Sequence, residues 1–172
     1  NISGEKFSGK THLANIFKLK SSALFLNEKE INNEIFKKIK LYESIIIDEF
    51  SNSIDENLIY SIFNLVDQDS KYLLINSETP LSEIKFKLPD MVSRSRNSLL
   101  ALINPPDDEL IFALILKNFS DRQIKLEKQI IEFIVNRIER SYRKISEFIY
   151  KVDELSLKKK KPINLKTIKE IL

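Results

Sequence analysis

Residues 4–11 read G-E-K-F-S-G-K-T, and Gly4 and Gly9 in this octapeptide are the only 2 glycines among 172 residues. The spacing is G-x-x-x-x-G-K-[ST], that of a phosphate-binding loop. Such a loop needs glycine where the backbone enters conformations closed to other residues, so that successive N–H groups can face an anion. Lys10 is then placed to reach the β- and γ-phosphates, and the Thr11 hydroxyl to ligand Mg2+. A helix must begin at Gly9 so that its N-terminus faces the phosphates. Leu13, Ile16 and Phe17 follow at helical spacing and are expected to form its apolar face. The expected cofactor-binding stretch is Gly4, Glu5, Lys6, Phe7, Ser8, Gly9, Lys10, Thr11 and His12. His12 is a bystander within it, because one histidine with no cysteine cannot build a metal site.

Outward from the loop, apolar runs alternate with helical patterns. Ala23–Leu26 reads as a short strand. Asn27 and Glu30 have capping-box spacing and should start a helix carrying Ile31, Ile35, Phe36 and Ile39 on one face. After Ser44, Ile45–Ile47 is a continuous β-branched run, the pattern of a strand buried on both faces of a parallel sheet. Leu58, Ile59, Ile62, Phe63 and Val66 mark a helix, and Tyr72–Ile75 another buried strand. This alternation predicts an α/β parallel sheet with helices on both faces, over residues 1–104. From residue 105 onward only helical patterns appear: Leu110 to Phe119, then Ile130, Ile131, Ile134 and Ile138. A third, capped by Ser141, carries Ile145, Phe148, Ile149, Val152 and Leu155, and Asn164 caps a last one. Residues 105–172 therefore read as a small all-α lid domain. Only three residues precede Gly4, whereas a phosphate loop normally follows a buried strand, so further residues are expected upstream.

Composition agrees with a soluble globular chain: 42% hydrophobic, 31% charged. A net charge of +3 is too weak to imply nucleic-acid binding by itself. The absence of cysteine fits a reducing cytoplasm, and no apolar run approaches membrane-spanning length. The Lys158–Lys161 run reads as a solvated loop.

In open parallel sheets ligands sit at the carboxyl ends of the strands. Asp48 and Glu49 follow the Ile45–Ile47 run, as a carboxylate to hold Mg2+ and one to polarise an attacking water. Asn76 ends the Tyr72–Ile75 strand and is either a γ-phosphate contact or a turn residue. Arg94, Arg96 and Arg143 could each stabilise phosphoryl charge, or be surface charges.

With these pieces in order, the chain resembles AAA+ ATPases of the DnaA/Hda family, above all their alphaproteobacterial Hda-type regulators. The residues that carry this are 4–13, Ile45–Glu49 (I-I-I-D-E), Leu88–Arg94 (L-P-D-M-V-S-R), Pro105–Asp108, Arg137–Arg143 and 161–172. The resemblance implies ATP or ADP with Mg2+ as cofactors. Lys10 and Thr11 become Walker A, Asp48 and Glu49 Walker B, Asn76 sensor 1 and Arg143 sensor 2. Arg94 becomes the arginine finger given to a neighbouring subunit, so Glu49 and Arg94 are the expected catalytic residues and Thr11 and Asp48 the metal ligands. It implies the DnaA initiator as partner, the polymerase sliding clamp through a segment not present here, and a possible homo-oligomer. It implies no direct sequence-specific DNA binding, since no helix-turn-helix follows Leu172. The activity so implied is weak ATP hydrolysis in a regulator of replication initiation. Rival readings are a self-sufficient ATPase such as a helicase loader, and a truncated DnaA initiator.

Overall fold

The computed structural model describes residues 1–159 and 164–172. The end of the Lys158–Lys161 run and the beginning of the 161–172 motif lie outside the described residues. The chain divides into two compact units, Asn1–Ile103 and Asn104–Leu172.

The apolar run of the first unit becomes β3 (Ser44–Phe50), whose Ser44–Asp48 segment is wholly buried. It pairs in parallel with β2 (Leu24–Asn27) on one side and β4 (Tyr72–Ser77) on the other. β4 pairs with β1 (Ile2–Ser3), which pairs with β5 (Ala101–Leu102). The parallel sheet thus has the order β2-β3-β4-β1-β5. Because side chains alternate across a strand, Ile46 and its neighbours Ile45 and Ile47 serve opposite layers. Ile46 packs with Ala14 and Phe17 of α1 (Lys10–Ser21), while Ile45 and Ile47 join a larger core on the other face. That core draws Ile35 and Ile39 from α2 (Ile35–Ile39), Ile59, Ile62 and Val66 from α3 (Glu56–Gln68), and Met91 from α4 (Pro89–Asn97).

Three expectations change here. In α1 the buried positions are Lys10 and Ala14, with Phe17 beside them, while Leu13 and Ile16 are exposed. Lys10, Ala14 and Phe17, at i, i+4 and i+7, set the covered line of this helix, and Leu13 and Ile16 lie off to one side of it. The Asn27–Glu30 capping box forms, but it starts only a single 3-10 turn, Glu28–Glu30. The Glu34 N–H donates to Asn32 Oδ1 at 2.9 Å, a local bond that competes with helical pairing. Ile31, Ile35 and Ile39 still reach the core, from two short pieces instead of one helix. Strand β5 was not foreseen: its residues are exposed and it pairs over only Ala101 and Leu102.

The second unit contains α5 (Asp108–Asp121), α6 (Lys128–Val135), α7 (Tyr142–Lys159) and α8 (Leu165–Ile171). Three of these four helices start on a side-chain acceptor: Asp107 takes the Leu110 N–H at 2.8 Å, Ser141 that of Lys144 at 3.2 Å, and Asn164 that of Thr167 at 3.0 Å, whereas Glu127 before α6 makes no such bond. The run L-I-F-A-L-I-L in α5 is apolar on every side and carries no phase of its own. Packing selects Ile111, Ile115 and Phe119 as its buried line, against Ile131 and Ile134 of α6 and Phe148, Ile149 and Val152 of α7. Among the described residues no helix is long and apolar enough to cross a membrane.

Ile115 is fully buried and Leu116 is 46% exposed. Ile115→Ala is therefore expected to cost about 2–5 kcal/mol through lost burial and a residual cavity. Leu116→Ala should stay within about 0.5 kcal/mol. Urea unfolding of the two variants checks the assignment.

Candidate nucleotide-binding site

The two glycines of the loop serve different physical needs. Gly9 has φ +93°, the left-handed region that penalises a side chain, and a Cβ there would meet nothing within 4 Å. Gly4 is required by contact instead: a Cβ would lie 2.9 Å from Ile103 Cβ and 3.1 Å from Ser8 Oγ. Its N–H donates to Ser77 O of β4 at 3.2 Å, so the loop leaves β1 squeezed between two strand ends. A third turn position, with φ 67°, is filled by Phe7, whose side chain is 66% exposed.

Lys10 opens α1 and bends back over the loop. Its ammonium donates to Gly4 O at 2.7 Å and to Glu5 O at 2.8 Å. Burial pushes its pKa down, against the opposing pull of the Glu78, Asp48, Glu49 and Glu5 carboxylates. Glu78, one residue past β4, was missed by the sequence reading. Its signal was only position, the first acidic residue after a strand end. Lys6 reaches the same carboxylate at 3.4 Å on the surface.

The strands bring the remaining groups together. Asp48, 3% exposed at the end of β3, accepts from Thr11 Oγ1 at 2.8 Å and from Asn76 Nδ2 at 2.7 Å. Asn76 is fully buried within β4, so it is a strand residue bonding to a carboxylate and not a turn residue. Glu49 is exposed and has φ 54°, at a register shift between Ile47 and Phe50. This bulge sends Asp48 inward and Glu49 outward from consecutive positions. His12 is exposed on α1. Two buried oxygens have no hydrogen-bond partner among the described residues, Ser8 Oγ in the loop and Asn76 Oδ1 beside Asp48.

These features fit a phosphate group with a hard cation. Orphaned polar atoms, an inward-turned lysine and a hydroxyl–carboxylate pair all converge on the loop. Among the described residues no cluster of three His, Cys, Asp or Glu could hold a metal unaided. A cation at Thr11 and Asp48 would therefore complete its shell with phosphate and water oxygens.

The arginines belong to other elements. Helix α4 runs from Pro89 to Asn97 and so contains both Arg94 and Arg96. Arg94 bonds to Asp67 and, at 2.7 Å, to Asn64 Oδ1, and lies over the Tyr60 ring at 5.8 Å from its centre. Arg96 is exposed. Arg143 is the exposed second residue of α7, in the other unit.

Comparison with known proteins adds four findings. Residues 107–172 match the family described as Hda, lid domain. A chromosomal replication initiator protein DnaA from Thermomicrobium roseum is 26% identical over 98% of this chain, which spans 43% of that protein's length. Domain III of the Thermotoga maritima replication initiation protein DnaA has a TM-score of 0.77 at 18% identity, over 99% of this chain and 81% of that one. AMPPCP-bound DnaA from Aquifex aeolicus has a TM-score of 0.67 at 21% identity, over 90% and 55%. The structural likenesses establish the fold.

Substitutions in the loop should have opposite signs. Phe7→Gly removes a Cβ from a left-handed position while giving up little burial, and should stabilise the chain by about 1 kcal/mol. Gly9→Ala, with open space but the wrong φ, should cost about 1–2 kcal/mol. Chemical denaturation in the absence of nucleotide measures both.

Proposed function

The lid match and the DnaA likeness make this chain a DnaA/Hda-type AAA+ protein, and from that premise we propose a nucleotide-dependent regulator of replication initiation. The observation that carries the nucleotide half is the convergence of Lys10, Thr11, Asp48 and Asn76 on the phosphate loop. The regulatory half is supported by the Hda-type lid at residues 107–172.

The ligand is ATP or ADP with Mg2+; the Aquifex aeolicus relative holds the ATP analogue AMPPCP. Bound nucleotide supplies the phosphoryl group and the charge that the loop neutralises. Lys10 exchanges two backbone carbonyls for phosphate oxygens, relieving a cation that burial already disfavours. Thr11 and Asp48 hold the cation. Asn76, whose Nδ2 is already given to Asp48, orients water by accepting from it at the unpartnered Oδ1. Glu49, directed outward by the bulge, polarises water. Arg143 belongs to the lid and serves as its nucleotide-sensing arginine.

The partner is the DnaA initiator, and Arg94 is the group given to it. A fixed guanidinium beside a neighbour's γ-phosphate stabilises the charge developing in transfer, typically by about 10³–10⁵ in rate. The sliding clamp is a further partner by analogy, and a homo-oligomer would use the same face. The function requires no sequence-specific DNA contact. A second reading, a self-sufficient ATPase of the helicase-loader kind, is favoured by one observation: the loop and both acidic residues are all in place.

Lys10→Ala should weaken this chain's own affinity for ATP and ADP at least about tenfold in calorimetric titration, by removing the loop's inward cation. Arg94→Ala should leave that affinity nearly unchanged. With radiolabelled ATP preloaded on DnaA, and clamp and DNA present, Arg94→Ala should lose all stimulation of hydrolysis. Strong turnover by the chain alone, with no effect on DnaA-bound ATP, would return the case to the self-sufficient ATPase.

A further inference from the structure

Arg94 is not held as an ordinary surface arginine would be. Tyr60, Asn64 and Asp67 stand at i, i+4 and i+7 on α3 and so share one helical face. That face receives the guanidinium as a shaped cradle: Asn64 Oδ1 and the Asp67 carboxylate accept its two terminal nitrogens, and the Tyr60 ring lies beneath. The Tyr60 hydroxyl in turn donates to Asp90 Oδ2 at 3.1 Å, fixing the ring against the first turn of α4. Only 28% of the Arg94 side chain is exposed, against 64% for Asp67. Arg96, two residues on, is exposed and has no such set of acceptors among the described residues.

Helix stability does not account for Asp67. It lies in the last turn of α3, where the macrodipole is negative and a carboxylate is disfavoured. What Asp67 and Asn64 do together is present two oxygens to a guanidinium, which is the geometry a phosphate would offer it.

We propose that Asn64 and Asp67 are positioning residues that occupy Arg94 in the place of a partner's phosphate, so that engaging the partner means exchanging an internal carboxylate for an external phosphoryl group. This rests on the reading that Arg94 acts in trans. The exchange is feasible because Asp67 is open to solvent, and an ion pair screened by water on one side is weak, worth a factor of roughly two to five. A phosphate bearing more charge than a carboxylate displaces it. While the pair holds, the cation is neutralised, and anions lacking the correct protein surface around them gain little from Arg94. The pair therefore raises the concentration needed for engagement without altering the engaged complex.

The test titrates the full chain into DnaA preloaded with radiolabelled ATP, with clamp and DNA present, and separates half-saturating concentration from plateau rate. Asp67→Asn keeps shape and an acceptor but removes the charge. It should lower the half-saturating concentration about two- to fivefold and leave the plateau unchanged. Asn64→Ala should shift in the same direction, by less. The Arg94→Ala/Asp67→Asn double variant should not stimulate. An unchanged or raised half-saturating concentration for Asp67→Asn, or a lower plateau, overturns the proposal, the last because it would make these residues presenters of Arg94. Full stimulation by Arg94→Ala alone overturns the trans reading, and this inference with it.

Discussion

A carboxylate at the end of a buried strand must be satisfied where it stands, and in this protein that carboxylate is Asp48. Removing an ionised group from water costs several kcal/mol unless charges or donors replace the lost hydration. Asp48 finds one donor on α1, Thr11, and another on β4, Asn76. Helix α1 is thereby tied to two adjacent strands through one side chain. The parallel register of β3 and β4 holds Asn76 in place, and the Gly9 turn does the same for Thr11. The loop, the helix start and two strand ends are consequences of one requirement.

The same crowding explains the backbone. Three of the 6 positive-φ positions among the described residues lie at the site, Phe7 and Gly9 in the loop and Glu49 in β3, while Ser22, Ser70 and Gln123 follow helix ends. Each non-glycine case carries about 1–2 kcal/mol of local strain. That strain is sustained by the surrounding packing, since β3 is buried from Ser44 to Asp48 and cannot yield. At Glu49 the consequence bears on the proposed function. Two consecutive acidic residues face opposite environments, one sealed and hydrogen-bonded, one open to water, which is the division of labour that cation binding and water activation need.

Lys10 and Arg94 show one cation logic in two settings. Each is satisfied by internal acceptors, backbone carbonyls for Lys10 and side chains of α3 for Arg94. Each of these acceptor sets is one that phosphate oxygens could replace. Lys10 is buried, and its charge is disfavoured until stronger acceptors arrive. Arg94 is partly exposed and its ion pair is weak, so it yields on contact.

Local chemistry was legible without coordinates. Spacing alone locates Gly4, Gly9, Lys10 and Thr11, because phosphate cradling constrains residues close in the chain. The run Ile45–Ile47 announces a buried strand, and Ser141 and Asn164 can be read as caps because capping acts over three residues. The broken helix after Asn27, the exposed face of α1 and the buried line of α5 were not legible. In each, neighbours distant in sequence decide which side of a helix is covered, or whether it continues at all. The bond from Asn76 to Asp48 and the cradle of Arg94 on α3 belong to the same class. The groups that meet there are separated by 28 and 27 residues, and only the sheet and the packing of α4 against α3 bring them within hydrogen-bonding distance.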